Sequence, residues 1–259
     1  MEQTNGNGTR RVAVVTGGAM GIGADSAEQL ARRGYRVVLA DINKDAAEET
    51  AAALRREDLS VSAAQMDVSS PESIAAAFET IAQTHERCDV LVNCAGIATL
   101  VPFIDYPLDT FLKTMQVNVT GTLLCAQHAA RLMIRNRWGR IVNIASVAGM
   151  RAVGKGRTAY GTSKGAVIAL TRQMAVELCD YGITANAVAP GPVDTPMTRA
   201  LHSEQFREEY SRAIPMKRYG KTSEIAAAVC YLASEEAAYT SGVVLPVDGG
   251  FFAWGAGAV

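Results

Sequence analysis

The chain has 259 residues, 49% of them hydrophobic and 20% charged, with a formal net charge of -1 at pH 7. That length can bury a substantial core, and the apolar content excludes a disordered chain. The near-neutral charge shows no basic footprint for nucleic acid, so no nucleic-acid partner is expected.

Residues 1–10, in the polar stretch MEQTNGNGTRR, read as a flexible tail with no apolar leader core. Nowhere do 18 uncharged apolar residues run together, so a cytoplasmic protein with no membrane partner is expected. From Arg11 onward, short β-rich apolar runs alternate with longer helical patterns. The predicted strands are 11–16, 35–40, 61–66, 89–93, 140–145, 183–189 and 243–247, and the predicted helices are 21–33, 43–57, 71–84, 107–136, 158–181 and 222–233. Ser70-Pro71 and Thr222-Ser223-Glu224 supply entry signals for two of these helices. The alternation predicts an α/β fold: a Rossmann-like, doubly wound, seven-stranded parallel sheet with helices on both faces. Residues 11–259 contain no linker and read as a single domain. Segment 190–221 breaks the rhythm, with prolines at 190, 192, 196 and 215 and a basic end, and reads as a lid over a site.

The five cysteines are scattered without metal-ligand spacing and read as reduced, and His85, His128 and His202 form no cluster, so no metal is expected.

The first strand runs into Thr16-Gly17-Gly18-Ala19-Met20-Gly21-Ile22-Gly23, and a helix follows. Glycines at 17, 21 and 23 permit a tight turn whose backbone approaches a pyrophosphate at the helix N-terminus. The spacing differs from GxGxxG, so the position between strand and helix carries the reading. Met20 and Ile22 complete this candidate cofactor turn. Asp41, eighteen residues beyond Gly23, ends the second strand where an acid accepts from the adenosine ribose. Its charge repels a 2′-phosphate and no arginine adjoins it, which points to NAD over NADP. Asp67 and the backbone of Val68 are placed to meet the adenine edge. Asn93, Cys94, Ala95 and Gly96 line the ribose's path with small residues.

Tyr160-Gly161-Thr162-Ser163-Lys164 puts a phenol and an ammonium on one helix face. In isolation this would be a solvated surface pair. In order along the chain, however, TGGAMGIG (16–23), NCAG (93–96), Asn118 in QVNVTG, Ser146 in IVNIAS, YGTSK (160–164), PGPVDT (190–195) and DGG (248–250) resemble the short-chain dehydrogenase/reductase family over nearly the whole length. The resemblance implies a catalytic tetrad of Asn118, Ser146, Tyr160 and Lys164. Tyr160 would be the proton donor and acceptor, and Lys164 would bring its pKa toward the working range. Ser146 would hydrogen-bond the substrate oxygen, and Asn118 would hold a water linking Lys164 to solvent. Pro190, Gly191, Val193 and Thr195 resemble the family's nicotinamide-binding stretch, with the Val193 backbone and Thr195 hydroxyl orienting the carboxamide. Two departures stand out: Cys94 replaces the second asparagine of NNAG, and the fourteen residues from Ser146 to Tyr160 are about one more than usual.

The extra length falls in MRAVGKGR (150–157), a loop expected to line the substrate pocket. Candidate substrate contacts are Met150, Arg157 and Arg199 beside Ser146 and Tyr160. Guanidinium forks there suit an anionic small molecule, while polyols and sugars remain open. The chain also resembles 3-oxoacyl carrier-protein reductases, for which the basic rim would be a docking surface. A non-catalytic NAD-binding scaffold would lack part of the tetrad, and all four residues are present. The resemblance further implies a homotetramer, formed through helices 107–136 and 158–181 and through FFAWGAGAV at the end of the chain.

Overall fold

The computed structural model describes residues 10–254. Seven strands form one parallel sheet in the order β3-β2-β1-β4-β5-β6-β7. They are β1 Val12–Thr16, β2 Arg36–Asp41, β3 Val61–Gln65, β4 Val90–Asn93, β5 Gly139–Ile144, β6 Ile183–Pro190 and β7 Val244–Val247. The helices among the described residues are α1 Gly21–Arg32, α2 Lys44–Arg55, α3 Pro71–His85, α4 Leu108–Met115, α5 Gly121–Asn136, α6 Thr158–Leu178, α7 Pro196–Leu201, α8 Glu204–Arg212 and α9 Thr222–Leu232.

The inner strands are buried on both sides because alternate residues serve two different cores. Ala13 and Val15 of β1 face α1, α2 and α9, where they join Leu30, Leu54 and Ile225. Val12 and Val14 face α3, α5 and α6, where they join Phe78, Met133 and Met174. Both runs are therefore continuously apolar, as the sequence pattern required. The chain runs outward from β1 in two directions, so the crevice beyond the C-terminal ends of β1 and β4 is the natural ligand position of such a sheet.

Three features depart from the expected elements. The helix expected over 107–136 is interrupted by a π-helical turn at Gln116–Thr120, which contains Asn118. The helix expected to reach 181 ends at Leu178 and continues as a 3-10 turn. The segment 190–221 contains two helices. Thr195 caps α7 ahead of Pro196, and Ser203 caps α8 by accepting from the Phe206 amide. Those start signals were present, but α8 buries none of its residues fully and so lacks an apolar stripe to announce it.

The expected N-terminal tail, apart from Arg10, and residues 255–259 of the C-terminal motif lie outside the described residues. Within the described part of that motif, Phe251 is buried against Val147 and Ile214. It is therefore committed to this chain's own core and is not an exposed contact for a second subunit. Phe252 is partly exposed, and the Trp254 ring lies under the Lys217 ammonium. Among the described residues no helix is long and apolar enough to cross a membrane, and no group of three or more His, Cys, Asp or Glu is placed to hold a metal.

Candidate active site

The glycine turn between β1 and α1 is built by close approach. A Cβ on Gly23 would lie 2.0 Å from the Gly17 carbonyl oxygen, and one on Gly17, where φ is +63°, would lie 2.9 Å from the Ala95 backbone. Thr16 ties this turn to β4 by accepting from the Cys94 and Ala95 amides at 3.1 and 3.2 Å. Helix α1 opens with no side-chain cap and no acidic residue in its first turn. Its first amides and positive dipole end are thus left for an anion, and the turn fits the pyrophosphate of a nicotinamide dinucleotide. When bound, such a cofactor supplies or accepts hydride.

A crevice of about 210 Å³ opens beside this turn. Of the residues expected at the cofactor, Gly17, Met20, Gly21, Ile22, Ala95 and Gly96 line it from the β1 and β4 side, and Pro190, Gly191, Val193 and Thr195 from the β6 side. Ser146, Tyr160 and Lys164 line the same crevice. Cys94 lines it too, its thiol pushed up to about 12 by burial.

Other expected residues act behind this wall. Gly23 packs α1 against the turn. Asp41 accepts from the Ala19 and Asn43 amides at 3.1 and 3.0 Å, bracing the glycine turn. Asp67 is occupied locally, its Oδ1 accepting from the Ser69 amide and hydroxyl at 2.8 and 2.7 Å, and these bonds hold its carboxyl below the usual range. Val68 is buried, and its carbonyl fills the place where a Gly121 Cβ would sit. Asn93 is buried at the end of β4, its side-chain amide donating to the Asn143 side chain on the neighbouring strand at 2.9 Å. The side chains of Asp67, Val68 and Asn93 therefore do not line the crevice. The Thr195 hydroxyl is used as the α7 cap, accepting from the Thr198 amide at 3.1 Å.

The tetrad residues converge, but two of them do so differently from expectation. Asn118 is almost fully buried in the π turn, with both N–H groups committed, to the Ile97 carbonyl at 3.0 Å and the Ser163 hydroxyl at 2.9 Å. Its Oδ1 accepts from the Ile97 amide at 2.8 Å. The side chain, carried on the π turn, therefore braces Ile97 against α6, and its N–H groups are not free to hold a water. The Lys164 ammonium donates to the Ile144 carbonyl at 2.7 Å and lies 5.7 Å from the Tyr160 ring centre. Burial brings its pKa down to about 8. Tyr160 is raised above its ordinary value by burial, opposed by a hydrogen bond with Ser146 and by the charge of Arg157. The Lys164 ammonium is thus bonded to a backbone carbonyl and not to the phenol oxygen. The Ser146 hydroxyl also accepts from the Ala148 amide at 3.1 Å, which fixes its position at the end of β5.

Two of the three substrate candidates lie elsewhere. Met150 packs into a small core with Ala145, Val167, Ile168 and Ala187. Arg199 makes two bonds to Asp194, at 3.0 and 2.9 Å, and its side chain is 65% exposed, away from the crevice. With Arg207 also donating, this pairing holds the Asp194 carboxyl down to about 2. Arg157 does line a cavity of about 70 Å³ that continues from the crevice, together with Ser146, Tyr160, His202 and Tyr210. His202 was not singled out as a site residue by the sequence, since a lone histidine forty-five positions from Arg157 carries no local signal.

A family model described as enoyl-(acyl carrier protein) reductase matches residues 17–252. The chain is 39% identical to the 3-oxoacyl-acyl-carrier-protein reductase FabG of Aquifex aeolicus, over 93% of this chain and 97% of that one. It is 36% identical to an NAD-dependent glycerol dehydrogenase of Listeria innocua, over 95% of each. Among solved structures, a gluconate 5-dehydrogenase from Burkholderia cenocepacia in complex with NADP and tartrate superposes with a TM-score of 0.90 at 34% identity, covering 96% of both chains. With its glycine turn, parallel sheet and Ser-Tyr-Lys crevice, the chain belongs to the short-chain dehydrogenase/reductase family of oxidoreductases.

Proposed function

We propose that the protein interconverts a secondary alcohol and a ketone, using NAD, on a small polar substrate that carries an anionic group. The observation that carries this is the continuity of the crevice: Ser146 and Tyr160 stand at the junction between the glycine-turn cavity and the small cavity walled by Arg157. In the reducing direction the substrate oxygen accepts a proton from the Tyr160 phenol while its developing charge is met by the Ser146 hydroxyl. In the oxidising direction the phenolate takes that proton back. Lys164, whose pKa burial brings down to about 8, keeps its charge at pH 7 and would turn from the Ile144 carbonyl toward the tyrosine and the ribose of a bound cofactor. Asn118 keeps segment 96–97 and α6 at fixed separation while this happens.

NAD is favoured by Asp41 at the end of β2, by the uncharged Ile42 and Met20 beside it, and by the relative named as NAD-dependent. An anionic substrate is favoured by Arg157 and by the neighbour solved with tartrate. A homotetramer, cytoplasmic in location and without nucleic-acid or membrane partners, accompanies this proposal.

A second reading, 3-oxoacyl carrier-protein reduction, is supported by a larger open channel of about 770 Å³ that reaches Arg157 between Leu100–Phe103 and residues 152–158. Its mostly apolar wall suits an acyl chain, and Lys155 at its rim suits an acidic carrier. Turnover of a panel of hydroxy acids, polyols and 3-oxoacyl thioesters with NAD(H) and NADP(H) separates the two. Tyr160→Phe should reduce the rate on the accepted substrate by about 10²–10⁴-fold. Equal turnover by wild type and Tyr160→Phe would refute the proposal, and a preference for 3-oxoacyl thioesters with NADPH would select the second reading.

A further inference from the structure

The segment between α7 and α8 places one buried side chain against the loop that precedes Tyr160. His202 is 7% exposed and sits among Phe206, Tyr210 and Tyr219. The Arg157 Nη2 group lies 2.9 Å from its Nε2, and the Tyr219 hydroxyl lies 3.0 Å from its Nδ1. A guanidinium can only donate, so Nε2 must be the acceptor and must carry no proton. The ring is then neutral with its proton on Nδ1, which donates to the Tyr219 oxygen.

We propose that His202 is a positioning residue for substrate selection: with its Nδ1–H held by the Tyr219 hydroxyl, its unprotonated Nε2 anchors one N–H of Arg157 so that the rest of the guanidinium faces the small cavity at Ser146 and Tyr160 and selects a carboxylate-bearing substrate. The proposal rests on the anionic-substrate function argued above.

Three further observations support this arrangement. Arg157 immediately precedes the first residue of α6, and the Gly161 amide donates to its carbonyl at 2.8 Å, so its backbone is fixed to the helix that carries Tyr160. The Tyr210 hydroxyl reaches the Val153 carbonyl at 3.4 Å, joining α8 to the same loop. Burial above all, and then the cations that face the ring, Arg157 from the loop and Arg207 from α8, favour its neutral form and bring its pKa down to about 4. A neutral acceptor orients the arginine without neutralising it, whereas a carboxylate in the same place would consume the charge that a substrate anion needs.

The test combines spectroscopy and binding. In ¹⁵N-labelled full-length protein, His202 should show the neutral Nδ1–H tautomer from pH 5 to 8, and Arg157→Ala should raise its pKa. On the NAD-loaded protein, dissociation constants for gluconate and glycerol are then compared by calorimetry. His202→Leu should weaken gluconate about tenfold more than glycerol, the effect of misplacing one charge-assisted bond. His202→Gln, whose side-chain oxygen can accept from Arg157, should restore most of that selectivity. A ring protonated on Nε2, or one titrating near its ordinary value, overturns the proposal whatever the substrate. A wild type that prefers gluconate while His202→Leu weakens both ligands alike overturns the role of His202 alone. A wild type that binds both alike refutes the anionic-substrate function and the proposal with it.

Discussion

The cofactor side of the crevice and its substrate side are built on different principles. The cofactor side is built on backbone: Gly17 packs against the Ala95 backbone, Gly23 against the Gly17 carbonyl, and the Asp41 carboxylate accepts from the backbone amides of Ala19 and Asn43. The substrate side consists of long side chains holding one another: Arg157 to His202, His202 to Tyr219, and the Arg207 guanidinium over the Tyr219 ring. Backbone packing admits few substitutions, so the first region keeps one ligand class. Side-chain networks can be rewired residue by residue, so the second can change substrate while the chemistry beside it stays fixed.

The largest expected effect breaks the cofactor side. Gly23→Ala drives a methyl into the Gly17 carbonyl, neither of which can yield easily, and should cost about 3 kcal/mol or more of stability along with cofactor binding. Chemical denaturation and NADH fluorescence measure both, and a fully stable variant that binds NADH normally would show the turn to be looser than described.

A smaller effect belongs to the substrate side. His202 has a folded-state pKa of about 4, below the ordinary unfolded value near 6.5. Between those values the unfolded chain binds more protons, so stability rises with pH. The contribution is fully present above about pH 6.5 and is lost as pH falls toward 4; the full shift corresponds to about 3 kcal/mol, which solvent screening reduces to roughly 2 kcal/mol. Denaturation midpoints of wild type and His202→Gln should therefore diverge across that window, and parallel curves would contradict the neutral ring.

The smallest effect tests the border of the cofactor side. Asp41→Ala should relax discrimination against NADP by about tenfold, the value of one lost charge interaction. It should also weaken NAD, because the Ala19 and Asn43 amides lose their acceptor. An unchanged NAD-to-NADP preference would confine Asp41 to bracing the turn.

The two regions also differ in how much of them was legible in the sequence. All seven strands were, because each is a short run rich in apolar and β-branched residues, continuously so in β1, and the glycine turn was, because its glycines lie within eight consecutive residues. The pairing of Tyr160 and Lys164 on one face followed from helical spacing. The interruption at Asn118 was signalled only by an asparagine in a helix interior, and a π turn has no composition of its own. Arg199 and Arg157 look alike as sequence, yet Asp194, five residues before Arg199, draws one away while His202 holds the other at the cavity. Met150, after the 3-10 turn that follows β5, and Asn93, at the end of β4, were misplaced for a related reason: such a side chain can point into the core or the crevice, and only the packing decides.

The separation of chemistry from discrimination is tested most directly by one kinetic comparison. kcat/KM would be measured with NAD for a hydroxy carboxylate and a neutral polyol on wild type, Tyr160→Phe and Arg157→Ala. Tyr160→Phe should lose both substrates by the same large factor, about 10²-fold or more, whereas Arg157→Ala should lose the carboxylate about tenfold more than the polyol. Equal losses on both substrates in Arg157→Ala, or a Tyr160→Phe enzyme that keeps either activity, would contradict the division of the crevice described here.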